Sequence, residues 1–275
     1  MKSLATIEPA VDPAPSAADY WESRARKFAA DDRGLAAVCS YGMPRLYNEA
    51  IELCQRRALA PWLTSPRAGA ALDVGCGIGR WSLRLAACGL DVFGLDISPF
   101  MVERARARAR DARLRCQFIV GTVTDAKLPR RFDLILSVTV LQHIIDPGDA
   151  ARALANLASH LRPGGEMVLL EAAPSRMRGR CDTAVFRART LDWYRDALRT
   201  AGLRLVAVHG VDPLPLKLLL LPFYRKLPRP LALAAITLVT LLSLPLDLML
   251  GRLLAAWSWH KVLVVRHAED HHRAS

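Results

Sequence analysis

A glycine-rich stretch at residues 72–81 constrains the fold of this 275-residue chain more than any other feature. The apolar segment from Leu72 to Val74 runs into glycines at positions 75, 77 and 79, and the residues that follow favour a helix. Glycine adopts positive φ readily and lets the backbone approach a ligand, and a helix start points free N–H groups at the same place. The stretch therefore predicts a strand, a tight turn and a helix start around a nucleotide-like cofactor.

Two acidic residues at predicted strand ends bear on the identity of that cofactor. The dinucleotide fingerprint G-x-G-x-x-G needs glycine where this chain has Arg80. Asp73, two places before the first glycine, would repel a pyrophosphate but can hold an ammonium group. Asp96 ends the next strand and can accept the ribose hydroxyls of either cofactor. The two carboxylates favour S-adenosylmethionine, which carries an ammonium group, over NAD.

Five segments also match one family in order and spacing. They are Leu72–Trp81, Gly94–Ser98, Arg131–Ile135, Leu141–Asp146 and Leu161–Gly165. On these motifs the chain resembles the class I S-adenosylmethionine-dependent methyltransferases, especially the group that acts on small molecules. The resemblance covers about residues 66–212 and a final strand. It implies an α/β fold, a Rossmann-like sheet of seven strands whose last strand is antiparallel.

The alternation of strand and helix signals gives the domain plan. Predicted strands centre on residues 70–74, 91–95, 115–120, 132–138, 166–171, 203–209 and 261–266. The predicted regions are a disordered leader (1–18), an N-terminal helical cap (19–65), the cofactor-binding domain (66–212), an apolar helical insertion (213–259), the final strand (260–267) and a tail (268–275). In the resembling family an aromatic residue near the start of the cap lies over the sulfonium, and Tyr20 and Tyr41 are the candidates here.

The resemblance also implies which residues hold the cofactor. Asp73 and the three glycines would surround the methionine part, Asp96 the ribose and Ile97 the adenine. For the adenine amino group the family uses a side chain just after the third strand, where Thr122 and Asp125 both fit and Asp125 is favoured. The predicted cofactor residues are Tyr20, Asp73, Gly75, Cys76, Gly77, Gly79, Asp96, Ile97, Thr122, Val123, Asp125 and Thr139.

Two residues are candidates for catalysis. His143 follows the fourth strand and has a side chain suited to removing a proton near neutral pH, although a structural role is the alternative. Glu171 ends the fifth strand, where it would orient a hydroxyl or amine, or cap a helix. Ubiquinone-type O-methyltransferases hold a divalent metal with two glutamates around this histidine, but the matching residues here are Thr139 and Gln142, so we predict no metal.

Three further residues at strand ends carry less weight. They are His209, Asp212 and His260. Histidines in such places are more often hydrogen-bonded fixtures than catalysts.

The insertion before the last strand departs from the plain family plan. About 50 residues stand where a short hairpin is expected, and the run from Leu231 to Leu246 carries no charge. A single membrane span would put the last strand on the wrong side, so three alternatives stay open: a helix in the membrane interface, a lid over the site, or a dimer contact. Basic residues beside the apolar run, with Trp257 near its end, favour the membrane interface.

Composition narrows the function further. The net charge of +12 lies largely in arginines of one predicted surface helix. The segment Ser137–Val140 departs from the motif of nucleobase methyltransferases, so we predict no nucleic-acid partner. Six scattered cysteines without a metal-type spacing indicate a reducing cytoplasm.

The combined prediction is a cytoplasmic methyltransferase, peripheral at the inner face of the membrane if the insertion contacts lipid. It would act on an oxygen, or less favoured a carbon, of a hydrophobic lipid, prenylated or polyketide-like acceptor by direct displacement. A soluble natural-product or sugar methyltransferase that dimerises through the insertion is one alternative. A non-catalytic cofactor-binding or membrane-docked interaction protein is the other.

Overall fold

The computed structural model describes residues 16–29, 35, 43–65, 67–177, 183–212, 220 and 226–269. These residues form one seven-stranded sheet in the order β3-β2-β1-β4-β5-β7-β6. The strands are β1 (Ala70–Val74), β2 (Asp91–Asp96), β3 (Cys116–Val120), β4 (Phe132–Val138), β5 (Leu161–Ala172), β6 (Leu203–Gly210) and β7 (His260–His267). Strands β1 to β5 pair in parallel, and β7 is antiparallel to both β5 and β6. The predicted α/β fold class is therefore confirmed.

Seven α-helices surround the described part of the sheet. They are α1 (Ala17–Lys27), α2 (Arg45–Leu63), α3 (Arg80–Ala87), α4 (Pro99–Asp111), α5 (Pro147–His160), α6 (Leu191–Thr200) and α7 (Arg229–Leu250). A short 3-10 helix, Leu141–His143, follows β4. Side-chain caps fix four of the helix starts, since the side chains of Ser16, Ser98, Asp146 and Thr190 each accept an N–H from the first turn.

The fifth strand begins earlier than predicted. We expected Gly164 and Gly165 to form a turn before a strand at 166–171, but β5 already starts at Leu161. The pairing with β4 shifts register between Phe132 and Leu134, and Gly164 has a φ of 77°. Both glycines lie between the paired residues Leu161 and Glu166, so they interrupt the pairing, and regular pairing with β4 resumes at Glu166, where the strand is predicted to begin.

The N-terminal cap begins at Ala17, two residues before the predicted start of order at Asp19. Ser16 caps the helix by accepting the N–H of Asp19 at 3.1 Å. The rest of the predicted leader lies outside the described residues, and so do Tyr41 and much of the tail and of the first part of the insertion.

Helix α7 exposes large apolar residues, whereas polar residues lie on its buried side together with Ala232 and Ile236. Leu242 and Met249 are 63% and 69% exposed, whereas Thr240 and Asp247 are 1% and 2% exposed. The buried side packs against α2. By length and composition α7 could also cross a membrane, the one such helix among the described residues.

Candidate active site

A cavity of about 480 Å³ opens at the carboxyl edge of the sheet, where β1, β2 and β4 end. Ligands of open α/β sheets bind at this edge. The predicted cofactor residues that line the cavity are Tyr20, Gly75, Cys76, Gly77, Asp96, Ile97, Thr122, Val123 and Thr139. His143 lines it as well, whereas Asp73, Gly79, Asp125 and Glu171 do not.

The glycine turn has the backbone that its sequence predicts. Gly75, Gly77 and Gly79 have φ values of 61°, 54° and 78°, all in the left-handed region. A Cβ on Gly75 would lie 2.4 Å from Cγ2 of Val140, which also lines the cavity. Glycine is therefore needed at position 75 for both conformation and space.

Two buried carboxyl groups flank this turn. Asp73 is 1% exposed, and its Oδ2 accepts the hydroxyl of Ser82 at 2.6 Å. Its Oδ1 is buried and has no hydrogen-bond partner among the described residues. Burial raises the pKa of Asp73 to about 7. A buried acceptor without a donor is unfavourable, and a ligand that carries N–H groups could satisfy it.

Asp96 closes the turn from the end of β2. Its Oδ2 accepts the N–H of Gly77 at 2.7 Å and its Oδ1 accepts the N–H of Ser98 at 2.9 Å. Burial raises the pKa of Asp96 from its usual range. Because a carboxylate has about four acceptor positions, two remain for hydroxyl donors in the cavity.

Residues 139–144, which include the 3-10 helix, form the floor of the cavity. Glu171 supports this floor from below and does not face the cavity. It is fully buried, and its carboxylate accepts the N–H groups of Val140, Leu141 and Gln142 at 2.9, 3.0 and 3.2 Å. Burial raises its pKa to about 7. The prediction that it orients an acceptor is not supported by this placement. It caps the 3-10 helix, which was the stated alternative, because the alternation along β5 turns its side chain under the floor.

Arg189 holds the same segment at its other end. Its guanidinium donates to the carbonyl of Leu141 at 2.8 Å and also to that of Ile144. The floor is thus fixed by a carboxylate on its amides and a guanidinium on its carbonyls.

The link between β4 and the 3-10 helix places Thr139 in the left-handed region, with a φ of 57°, although threonine is β-branched.

His143 sits on this floor with a defined tautomer. Its Nδ1 lies 2.6 Å from the carbonyl oxygen of Val185, so this nitrogen donates, and Nε2 accepts a long hydrogen bond of 3.4 Å from the amide nitrogen of Gln142. Burial lowers the pKa of His143 to about 4, with Arg24 adding to the effect. The imidazole is therefore neutral at pH 7, where it can accept a proton but only weakly.

Helix α1 covers the cavity with two aromatic side chains. Tyr20 and Trp21 both line it, and the Trp21 ring lies edge-on to His143 with 4.8 Å between centroids. Glu22 anchors the helix by accepting the hydroxyl of Ser98 at 2.6 Å and the N–H of Phe100 at 3.1 Å. The cap is thereby attached directly behind Asp96.

Comparison with known proteins identifies the family of this chain. A family of methyltransferase domains matches residues 71–165. The ubiquinone biosynthesis O-methyltransferase of Xanthomonas euvesicatoria pv. vesicatoria (strain 85-10) is 34% identical over 51% of this chain and 64% of its own length. That of Xanthomonas axonopodis pv. citri (strain 306) is 32% identical over 53% of this chain and 67% of its own length. The chain belongs to the class I S-adenosylmethionine-dependent methyltransferases. It spans about two thirds of the length of these relatives.

A solved structure agrees with this methyltransferase in fold. Magnesium protoporphyrin IX methyltransferase from Synechocystis PCC 6803, with bound S-adenosylmethionine, superposes with a TM-score of 0.60 at 16% identity. The match covers 94% of this chain and all of the other. At that identity the likeness concerns the fold alone.

The structure separates the two predicted adenine contacts of this methyltransferase. Thr122 lines the cavity, and its Oγ1 accepts the N–H of Thr124 at 3.1 Å. Asp125, which we favoured, is exposed and does not line the cavity. Thr122 and the backbone of Val123 therefore remain as the predicted contacts. Their role stays a prediction.

The three weaker candidates lie at the far side of the sheet and do not line the cavity. Asp212 accepts the backbone N–H of His260 at 2.8 Å and its Nδ1 at 3.0 Å. These two residues form a structural pair between β6 and β7. Burial lowers the pKa of His209, which favours its neutral form.

Two of the cavity residues that sequence reasoning missed, Trp21 and Arg80, bear on the chemistry of this methyltransferase. Trp21 is adjacent to the predicted Tyr20, and only the docking of α1 decides which ring meets His143. Arg80 is 9% exposed, lines the cavity and donates to Oε1 of Gln55 at 3.1 Å. The signal for Arg80 was its place at the first turn of the helix after the glycines, where side chains flank a bound ligand.

Proposed function

We propose that this chain binds S-adenosylmethionine and transfers its methyl group to an oxygen of a hydrophobic small molecule. The observation that carries the proposal is the positive-φ glycine turn between Asp73 and Asp96 at the wall of the cavity. Its relatives are named O-methyltransferases of ubiquinone biosynthesis, which supports oxygen as the acceptor atom.

The residues present fit this cofactor. Asp73 offers a buried, unpaired carboxyl oxygen behind the turn, suited to the ammonium end. Arg80 places positive charge in the cavity wall, suited to a carboxylate. Asp96 has acceptor capacity left for ribose hydroxyls, and Ile97 and Val123 supply apolar surface for a nucleobase. When bound, the cofactor supplies an electrophilic methyl group on a sulfonium sulfur.

The chain itself contributes alignment and exclusion of water. Direct displacement needs the acceptor held in line, and such positioning supplies most of the rate enhancement. Tyr20 and Trp21 cover the cavity, and their ring faces stabilise a cation by about 0.5 to 2 kcal/mol. Nε2 of His143 faces the amide nitrogen of Gln142 at 3.4 Å, and an acceptor hydroxyl would take the place of this long contact, with its proton held by Nε2 as charge develops on the oxygen.

The hydrophobic class of the acceptor rests on the cavity and on α7. Beside His143, the acceptor half of the cavity is lined by Trp21, Ile144 and Val185, whose side chains are apolar or mainly so. Such walls suit a lipid, prenylated or polyketide-like molecule. The proposed location is the cytoplasm, at the inner face of the membrane.

Calorimetric titration with S-adenosylmethionine and, separately, NAD tests the cofactor. We expect micromolar binding of the first only, and loss of binding in Asp96→Ala. Asp111→Ala removes an exposed carboxylate at the end of α4 and should bind normally. Absence of S-adenosylmethionine binding by the native chain would refute the proposal. Incubation with labelled cofactor and a lipid extract then identifies the acceptor.

The proposed partner of α7 is a membrane surface rather than a second copy of the chain. Its exposed large apolar residues are Leu231, Leu238, Leu241, Leu242, Leu246 and Met249. Its buried stripe consists of Ala232, Ile236, Thr240, Ser243 and Asp247. A helix in water has the opposite arrangement, whereas helices in lipid bury small and polar residues against protein.

The hydroxyl groups of α7 donate hydrogen bonds to the backbone of their own helix, as serine and threonine do in membrane helices. Thr237, Thr240 and Ser243 donate to carbonyls four residues back, at 2.7, 2.6 and 2.8 Å. Because β6 and β7 join the same sheet and α7 packs on α2, the helix would lie along the surface instead of crossing.

Flotation with phosphatidylcholine vesicles tests this contact. We expect the native chain to float and the pair Leu242→Gln, Met249→Gln to remain in solution. Val120→Gln with Val206→Gln changes two exposed apolar residues on the edge strands and should float normally. A chain that stays in solution as a dimer would favour the second copy instead.

A further inference from the structure

Four arginines surround a surface cavity at the edge of α7. Arg56 and Arg57 come from α2, Arg84 from α3, and Arg252 from the segment just after α7. The cavity holds about 530 Å³, and its remaining walls include the apolar side chains of Leu53, Leu63 and Leu248. Its described lining residues are all different from those of the candidate active site, so the two cavities are separate.

The charge of this cavity is not balanced by the described protein. Arg84 pairs with Glu52 at 3.0 Å, but Arg56, Arg57 and Arg252 are exposed and make no ion pair within the described residues. No described acidic side chain lines the cavity. Burial lowers the pKa of Arg84, and the neighbouring charge of Arg56 lowers it further. Like charges held this close favour an anion between them.

The surroundings indicate what kind of anion fits. On the α7 side, Met249 and Leu253 are 69% and 78% exposed, and Leu53 carries the apolar surface into the cavity. A ligand that satisfies both features has an anionic head and long apolar chains. Guanidinium groups bind phosphate through paired N–H donors.

We propose that this cavity binds the phosphate of an anionic phospholipid whose acyl chains lie along the exposed face of α7. The inference rests on the membrane contact proposed above, and not on methyl transfer. It assigns the class of lipid that the protein selects. It also sets the orientation of the protein on the membrane, because α7 and the arginines of α2 would face the same leaflet.

Charge also decides against a second copy as the occupant. A two-fold contact brings the same patch from both copies together. Here it would oppose Arg56, Arg57 and Arg252 of one copy to those of the other, without acidic residues from the described lining to neutralise them. An anionic bilayer removes that repulsion, and each basic residue near such a surface contributes about 1 kcal/mol.

The test compares binding to vesicles of pure phosphatidylcholine and of equimolar phosphatidylcholine and phosphatidylglycerol. The native chain should bind the anionic vesicles more tightly, and added salt should reduce the difference. The triple variant Arg56→Gln, Arg57→Gln, Arg252→Gln should lose about 100-fold in affinity for anionic vesicles, from about 1 kcal/mol per residue. Its affinity for neutral vesicles should change far less, because the choline cation balances the phosphate charge of phosphatidylcholine.

A matched control removes the same charge elsewhere. Arg110→Gln, Arg115→Gln, Arg131→Gln changes three exposed arginines that do not line this cavity and should bind anionic vesicles as the native chain does. Equal losses in the two triple variants would reduce the effect to net charge and overturn the site. Equal binding of the native chain to both vesicles would overturn it as well, while leaving the apolar contact of α7 intact. Calorimetry with S-adenosylmethionine on every variant reports on the proposed enzyme function separately.

Discussion

The ring of Trp21 meets the imidazole of His143 edge-on, with 4.8 Å between ring centroids and 78° between planes. This contact joins the cap helix to the floor of the cavity, two elements more than 100 residues apart in sequence. An edge-to-face pair of this kind contributes about 0.5 to 1.5 kcal/mol beyond the buried area. The cap and the floor are therefore expected to act together on a ligand between them.

Removal of this contact should weaken cofactor binding. Trp21→Ala is expected to raise the dissociation constant for S-adenosylmethionine by about three- to tenfold, because α1 loses its anchor on the floor. Trp21→Phe keeps an aromatic ring and should lose less. Calorimetry measures both, and Trp257→Ala, on an exposed tryptophan outside the cavity, is the control. Unchanged affinity in Trp21→Ala would mean that α1 does not cover the cofactor.

The close approach of Gly75 to Val140 predicts a rescue experiment. Gly75→Ala should destabilise the fold by about 3 kcal/mol, from overpacking together with positive φ. Gly164→Ala also has positive φ, but nothing lies within 4 Å of its Cβ, so it should cost only about 1 kcal/mol. Adding Val140→Ala to Gly75→Ala should restore part of the loss. Denaturant unfolding measures all the variants against the native protein, and a double variant no more stable than Gly75→Ala would contradict a clash with Val140.

Thr139 should prefer replacement by glycine over alanine. Its φ of 57° is unfavourable for any residue with a Cβ, so Thr139→Gly is expected to be about 1 kcal/mol more stable than Thr139→Ala. At Thr122, whose φ is not positive, the order should reverse. Urea unfolding of the four variants measures the order. If the alanine variant is more stable than the glycine variant at both positions, no strain is stored at Thr139.

Glu171 should make stability depend on pH. Its folded pKa of about 7 lies above the ordinary 4.5, so its stabilising contribution is present below about pH 4.5 and is lost as pH rises through 7. The loss from this one group is about 3 kcal/mol. Glu171→Gln cannot titrate, so the stability difference between native and variant protein should shrink by that amount over this range. Asp73 and His143 titrate in both proteins and cancel.

The variant should also be less stable at low pH, because the amide nitrogen of glutamine faces a backbone N–H where the carboxyl accepted one. Glu103→Gln, on an exposed residue of α4, should leave the pH dependence unchanged. Parallel curves for native protein and Glu171→Gln would place the pKa of Glu171 in its ordinary range.

His143 should stay neutral well below its ordinary pKa. Burial lowers the pKa to about 4, so its NMR titration should show the neutral ring with the proton on Nδ1 down to about pH 5. His143→Gln identifies the signal. A midpoint near 6.5 would mean that the ring is open to solvent, and a base strong enough for full proton removal would then be available.

The sheet could be predicted because each strand is an apolar run bounded by glycine, proline or polar turns. The start of β5 was not predictable, since the strand extends back to Leu161 across a glycine pair that interrupts its pairing with β4. Site residues on the glycine turn were predictable from local backbone needs. Glu171 and Asp125 were not, because the direction of a side chain at a strand end depends on register and on the loop packed above it.

The position of β7 has a consequence for the order of folding. This strand follows α7 in the sequence, yet it lies inside the sheet between β5 and β6. During synthesis the apolar helix therefore leaves the ribosome before the strand that closes the sheet and brings both ends of the insertion together. Until β7 arrives, α7 is held mainly by its contacts with α2. The nascent chain thus presents the exposed apolar surface of α7 before its domain is complete, a stage at which such surfaces are prone to misassembly.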